Sequence, residues 1–154
     1  ALKAFADAET ALRNAIHFAP DEYDNYVALA VLYNLAGNAY LDPVHYERAV
    51  AAAQEGAKIE PYGPALRYQI AWAYSRLSQR ALAIKELEYA LALDPMFASA
   101  TVGLARLHEA DGDYTRALAV LTAAIALDPN AQGVRETIRA IEASRDTVPG
   151  TRAR

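Results

Sequence analysis

Apolar and small residues recur along the chain in steps of three, four and seven, the spacing that places side chains on one stripe of an α-helix. Prolines punctuate the stripes. Pro20, Pro61, Pro95 and Pro129 close four similar phrases, AIHFAP, AKIEP, ALALDP and AIALDP. Proline cannot continue a helix interior, so each marks one helix end and a new start. The last two intervals are 34 residues each, and the first is 41, longer by seven. Twelve residues before the prolines stand Ala8, Ala49, Ala83 and Ala117, and five before stand Ala15, Gly56, Ala90 and Ala124. Eight before come Leu12, Ala53, Leu87 and Leu121. Small residues at fixed places allow two helices to approach closely, and the larger ones fill the space beside them. After the prolines, the ninth position holds Leu29, Ile70, Leu104 and Ile138, and the thirteenth holds Tyr33, Tyr74, His108 and Glu142. The fourth phrase turns charged at Arg139 and Glu142, as a terminal helix facing water requires.

This register resembles the tetratricopeptide repeat family. The period, the small–Ala–Ala–Pro skeleton and the Leu-Ala…Tyr of the first helix carry the resemblance, over residues 1 to about 145. It implies an all-α fold, an α-solenoid (right-handed superhelix) of stacked antiparallel helix hairpins. The expected organisation is a single solenoid over 1–146: a half repeat at 1–22, repeats at 23–63, 64–97 and 98–131, and a capping helix at 132–146, with a flexible tail at 147–154. Eight helices and no strand are expected. The large aromatic usual early in the first helix survives only as Tyr26, with Arg67 and Thr101 in its place later, which predicts looser packing there. The seven extra residues fall between Gly37 and His45. Seven residues make about two helical turns, and Asp42-Pro43 suits a helix start, so two lengthened helices are favoured. A structured loop after Gly37-Asn38 is the alternative.

Composition narrows the function. Ala and Leu dominate while Gly and Pro are scarce, which favours helix. No apolar run reaches the roughly 18 residues of a membrane span, and no signal-peptide pattern appears. The compartment stays open, with the cytoplasm favoured. Net charge is −4 and the basic residues are scattered, so nucleic acid is not an expected partner. Absence of cysteine excludes disulfides and thiolate chemistry. His17, His45 and His108 lack metal-ligand spacing; His108 is expected to pack, and the other two to lie on the surface. Asp111-Gly112-Asp113 lacks the further oxygen ligands of a calcium loop and reads as a tight turn capped by Asp113. No catalytic constellation, phosphate loop or cofactor motif stands out, so no enzyme activity, cofactor or metal is expected.

In the resembled family the first helix of each hairpin lines a groove that holds peptides or a partner's helix. The corresponding columns here nominate Val27, Val31, Asn34, Tyr68, Trp72, Arg76, Arg106 and Glu109 as a partner-binding groove. Trp, Tyr and Arg are the types that most often dominate binding energy. The family's Lys, Asn and Arg clamp for C-terminal carboxylates maps onto Val27, Val31, Gln69, Ser99 and Gly103, which cannot form it. The expected function is a protein-interaction module binding a peptide or helix with apolar anchors and an acidic group. A second expectation is a scaffolding or regulatory domain of a larger enzyme or membrane protein, for example one of bacterial polysaccharide assembly. Leu2, Phe5 and Leu12 on the first helix cannot all be covered, which predicts weak self-association through residues 1–19.

Overall fold

The computed structural model describes residues 2–147, all of whose regular structure is helical. The eight helices are α1 (Leu2–Phe18), α2 (Tyr23–Tyr40), α3 (Pro43–Ile59), α4 (Pro64–Arg76), α5 (Arg80–Leu93), α6 (Ala98–Ala110), α7 (Tyr114–Leu127) and α8 (Gln132–Thr147). The chain forms two compact units that divide between Leu93 and Asp94. The expected tail lies, from residue 148 onward, outside the described residues.

In the first unit, α2 pairs with α3 and α4 with α5, while α4 also packs on α3 and α2, and α1 lies on α2. The core is built from Leu29, Ala30, Tyr33, Ala49, Ala53, Leu66 and Ile70, most of them predicted by the proline register. Ala83 and Ala90 of α5 are fully buried at the hairpin contact. No residue of α1 is buried; Phe5, Leu12 and Ile16 are half-covered against this core, while Leu2 and Phe18 stand exposed. In the second unit, α6 pairs with α7, and α8 packs on both. Ala105, Ala117, Leu121, Val134 and Ile141 form its core.

The seven extra residues lengthen two helices and make no loop. Compared with α4 and α5, α2 is five residues longer and α3 three longer, and the connection between them is one residue shorter. Asp42 caps α3 by accepting from the Val44 amide at 3.0 Å, with Pro43 at its first position. Leu41 closes α2 in the left-handed region, at φ 56°. Gly37 does not end α2. It sits buried inside the helix where the Tyr46 ring crosses, so a Cβ there would lie 2.5 Å from that ring. The Tyr46 hydroxyl donates to Asn38 Oδ1 at 2.8 Å, which pins the ring over Gly37.

The expected loose packing at Arg67 and Thr101 is not what the structure holds. Arg67 pairs with Glu86 at 3.3 Å, and its guanidinium lies 4.6 Å from the centre of the Tyr89 ring. Thr101 is buried, and its hydroxyl turns back to the Phe97 carbonyl. The turn at Asp111–Asp113 has Gly112 at φ 75°, and Asp113 accepts from the Arg116 amide at 2.9 Å. His108 is buried. His45, expected on the surface, instead joins an aromatic cluster with Phe5 and Tyr40 at 5.2 and 5.6 Å between ring centres.

Candidate functional site

The nominated residues divide between the two units. Val27, Val31, Asn34, Tyr68, Trp72 and Arg76 stand on α2 and α4 of the first unit, and Arg106 and Glu109 on α6 of the second. Helices α2 and α4 are neighbours, so the first group forms one continuous stretch of surface and interior. Val27, Val31, Tyr68 and Trp72 are all half-buried. The Tyr68 and Trp72 rings lie one turn apart on α4, with centres 6.3 Å apart and planes tilted at 58°. Burial pushes the Tyr68 hydroxyl pKa above its ordinary value. The two rings therefore keep each other in place while leaving part of their area open.

Asn34 is not available to a partner. It is wholly buried and donates to both the backbone and side-chain oxygens of Gln69, at 3.0 and 2.9 Å. The reason lies in the longer α2. Ser75 and Glu109, its register equivalents, occupy the last turns of α4 and α6, whereas Asn34 is followed by six more helical residues. It becomes a polar tie between neighbouring helices.

Arg76 is exposed, but its Nε donates to the Tyr46 hydroxyl at 3.2 Å. The bond leads on to Asn38, so the end of α4 is tethered to the α2–α3 hairpin. Leu41, Pro43, Tyr46, Ser75 and Arg76 line a hollow of about 300 Å³ there. The outer guanidinium nitrogens remain for a carboxylate. Arg106 differs: it pairs with Glu109 at 2.7 Å, so the two nominated residues of the second unit neutralise each other. That pairing was signalled by their spacing of three along a helix.

Sequence reasoning missed a polar triad on the first unit. Arg13 donates to the Tyr33 hydroxyl and that hydroxyl to Glu9, each at 2.7 Å, while Arg13 Nε also reaches Glu9 at 3.1 Å. The Tyr33 bond holds the Glu9 carboxyl below its ordinary range, against the opposing effect of burial. Burial, reinforced by Glu9, pushes the Tyr33 hydroxyl up. Among the described residues no group of three or more His, Asp or Glu could hold a metal ion, and no helix is long and apolar enough to cross a membrane.

Residues 68–132 match the family model for the tetratricopeptide repeat. Over these residues the chain is similar to the tetratricopeptide repeat. The solved structure of TTC0263, a tetratricopeptide protein of Thermus thermophilus, superposes with a TM-score of 0.83 at 21% identity, covering 92% of this chain and 75% of that one. The structure of MamA gives 0.71 at 17% identity, over 92% and 79%. The first tetratricopeptide domain of Spaghetti (RPAP3), bound to an HSP90 peptide, gives 0.57 at 25% identity, over 75% and 94%. No curated protein sequence matches the chain.

Proposed function

We propose that this chain is a protein-interaction module, and that its binding face in the first unit runs along α2 and α4. The observation that carries the proposal is the mutually braced, half-open Tyr68–Trp72 pair beside Val27 and Val31. Such a surface offers large rigid contact area at little entropic cost, as binding hot spots do. Arg76 at the end of α4 adds a cation whose outer nitrogens suit a carboxylate.

The structures of RPAP3 with an HSP90 peptide and of a yeast Sti1 domain with an Hsp70 peptide support peptide binding as the mode. The chemistry differs here. The columns of the family's carboxylate clamp carry Val27, Val31, Gln69, Ser99 and Gly103, and Gln69 is already engaged by Asn34. The partner proposed is therefore a segment with aromatic or aliphatic anchors on Trp72 and an acidic group at Arg76. Arg106 contributes little, because Glu109 already compensates it.

Trp72→Ala should weaken binding of the natural partner by roughly 30-fold, about 2 kcal/mol, in calorimetric titration while the helical circular dichroism is retained. Unchanged affinity would place the site elsewhere on the chain.

A further inference from the structure

Two seams of the first unit occupy equivalent places and are filled differently. In the second hairpin, Arg67 of α4 reaches across to Glu86 of α5 and lies over Tyr89, which closes the seam between those helices. Counting from the closing prolines, the same three places in the first hairpin hold Tyr26, Ala52 and Glu55. No ion pair can form there, and the alanine leaves a gap where Glu86 stands in the other seam. The result is a crevice of about 400 Å³, floored by Leu29 and Tyr33 of α2, with Ala51 and Ala52 of α3 on one wall and Ile16 of α1 on the other.

The polar groups around this crevice are nearly all spent. The Tyr26 hydroxyl donates to the Pro20 carbonyl at 2.9 Å, and that of Tyr33 is held between Arg13 and Glu9. Glu55 on the rim is paired with Lys58 at 2.6 Å. Arg48, also on the rim, is exposed and makes no hydrogen bond or ion pair among the described residues. The crevice thus presents an apolar interior beside the exposed Arg48 guanidinium, whose charge is felt by Glu9 but which no side chain pairs directly.

We propose that this crevice is a second recognition site, which seats a large apolar side chain of a partner peptide while a neighbouring carboxylate of that peptide binds Arg48. Its volume falls in the range of pockets that enclose small groups, enough for one large side chain. With the tyrosine hydroxyls committed, the interior has no polar group left to orient a free small molecule. Orientation comes from the rim, which suits a side chain carried on a backbone. The site does not depend on the Trp72 face.

The test uses the whole chain and the peptide Ac-Ser-Asp-Phe-Asp-Ser-amide, followed by amide chemical shifts. Perturbations are expected within residues 13–16, 26–33 and 48–55. Peptides with Lys for Asp, or Ala for Phe, should bind about tenfold more weakly, since they lose the charge or the anchor. Arg48→Glu, an exposed change that breaks no hydrogen bond or ion pair but removes a favourable charge near Glu9, should reverse the preference between the Asp- and Lys-flanked peptides. The double variant Tyr26→Arg/Ala52→Glu should close the crevice and abolish the perturbations, and Trp72→Ala should leave them intact. The proposal is overturned by absence of binding at millimolar peptide, by an Ala-centred peptide binding equally well, or by insensitivity to Arg48→Glu. Shifts centred on Trp72, or free 3-phenylpropionate binding as tightly as the peptide, would overturn it too.

Discussion

At the scale of single residues, one close approach, two left-handed residues and one polar triad decide most of what is specific to this chain. Gly37 lies under the Tyr46 ring, which is buried and held at its hydroxyl by Asn38 and Arg76. Elsewhere in a helix, Gly→Ala would stabilise by about 1 kcal/mol through propensity. Here Gly37→Ala should instead destabilise by roughly 1–3 kcal/mol in urea unfolding, because the ring cannot step aside. A gain in stability would mean that the ring is free to move. Leu41 and Ser78 take positive φ without being glycine, at 56° and 60°. Leu41→Gly and Ser78→Gly should each raise stability by up to about 1 kcal/mol, since the left-handed region is costly for residues with a Cβ. The triad has a pH signature. The folded Glu9 carboxyl is depressed chiefly by Tyr33, so its contribution is present above the unfolded value near pH 4 and is lost as pH falls through the lower folded value. Tyr33, raised by burial, contributes below about pH 10 and loses that contribution as pH rises through its folded value. Tyr33→Phe should flatten both limbs of the stability–pH curve, and parallel curves for the two proteins would contradict the triad. None of this was legible in the sequence, because Glu9 and Tyr33 stand 24 residues apart.

At the scale of elements, the small residues and prolines made the fold readable. Ala83 and Ala117 are fully buried at the contacts of α5 with α4 and of α7 with α6, where any added volume meets a neighbouring helix. Ala83→Leu and Ala117→Leu should each cost roughly 1–3 kcal/mol by overpacking, measured by thermal unfolding. Unchanged melting in both would show the register to be misassigned. The same register explains why the longer hairpin keeps its core in phase: the added residues extend both helices at their joined ends, beyond the shared stripe. What the register could not convey was the effect of that extension on Asn34, which passes from a last-turn position to the interior of a helix against Gln69. Nor did it show that Arg67 fills its seam by an ion pair and a ring contact, whereas Ala52 leaves the neighbouring seam open. Those outcomes depend on pairs of residues across helices, which a column-by-column comparison does not join.

At the scale of the whole chain, repeat architecture fixes where a face can lie and leaves its chemistry to the side chains it carries. Legibility of the proposed binding face was accordingly uneven. The choice of Tyr68 and Trp72 rested on residue type and column, and both are half-open on α4. Asn34 spends its side-chain amide on Gln69, and Arg106 pairs with Glu109. The central claim is that a partner covers the Tyr68–Trp72 face, and the chain carries its own reporter, since Trp72 is its only tryptophan. The most direct measurement is tryptophan fluorescence during titration with the natural partner, with acrylamide quenching at saturation. The account predicts a blue shift of emission and a clear fall in quenching as the half-open ring is covered. Saturating binding, verified by calorimetry, with emission and quenching both unchanged would contradict it.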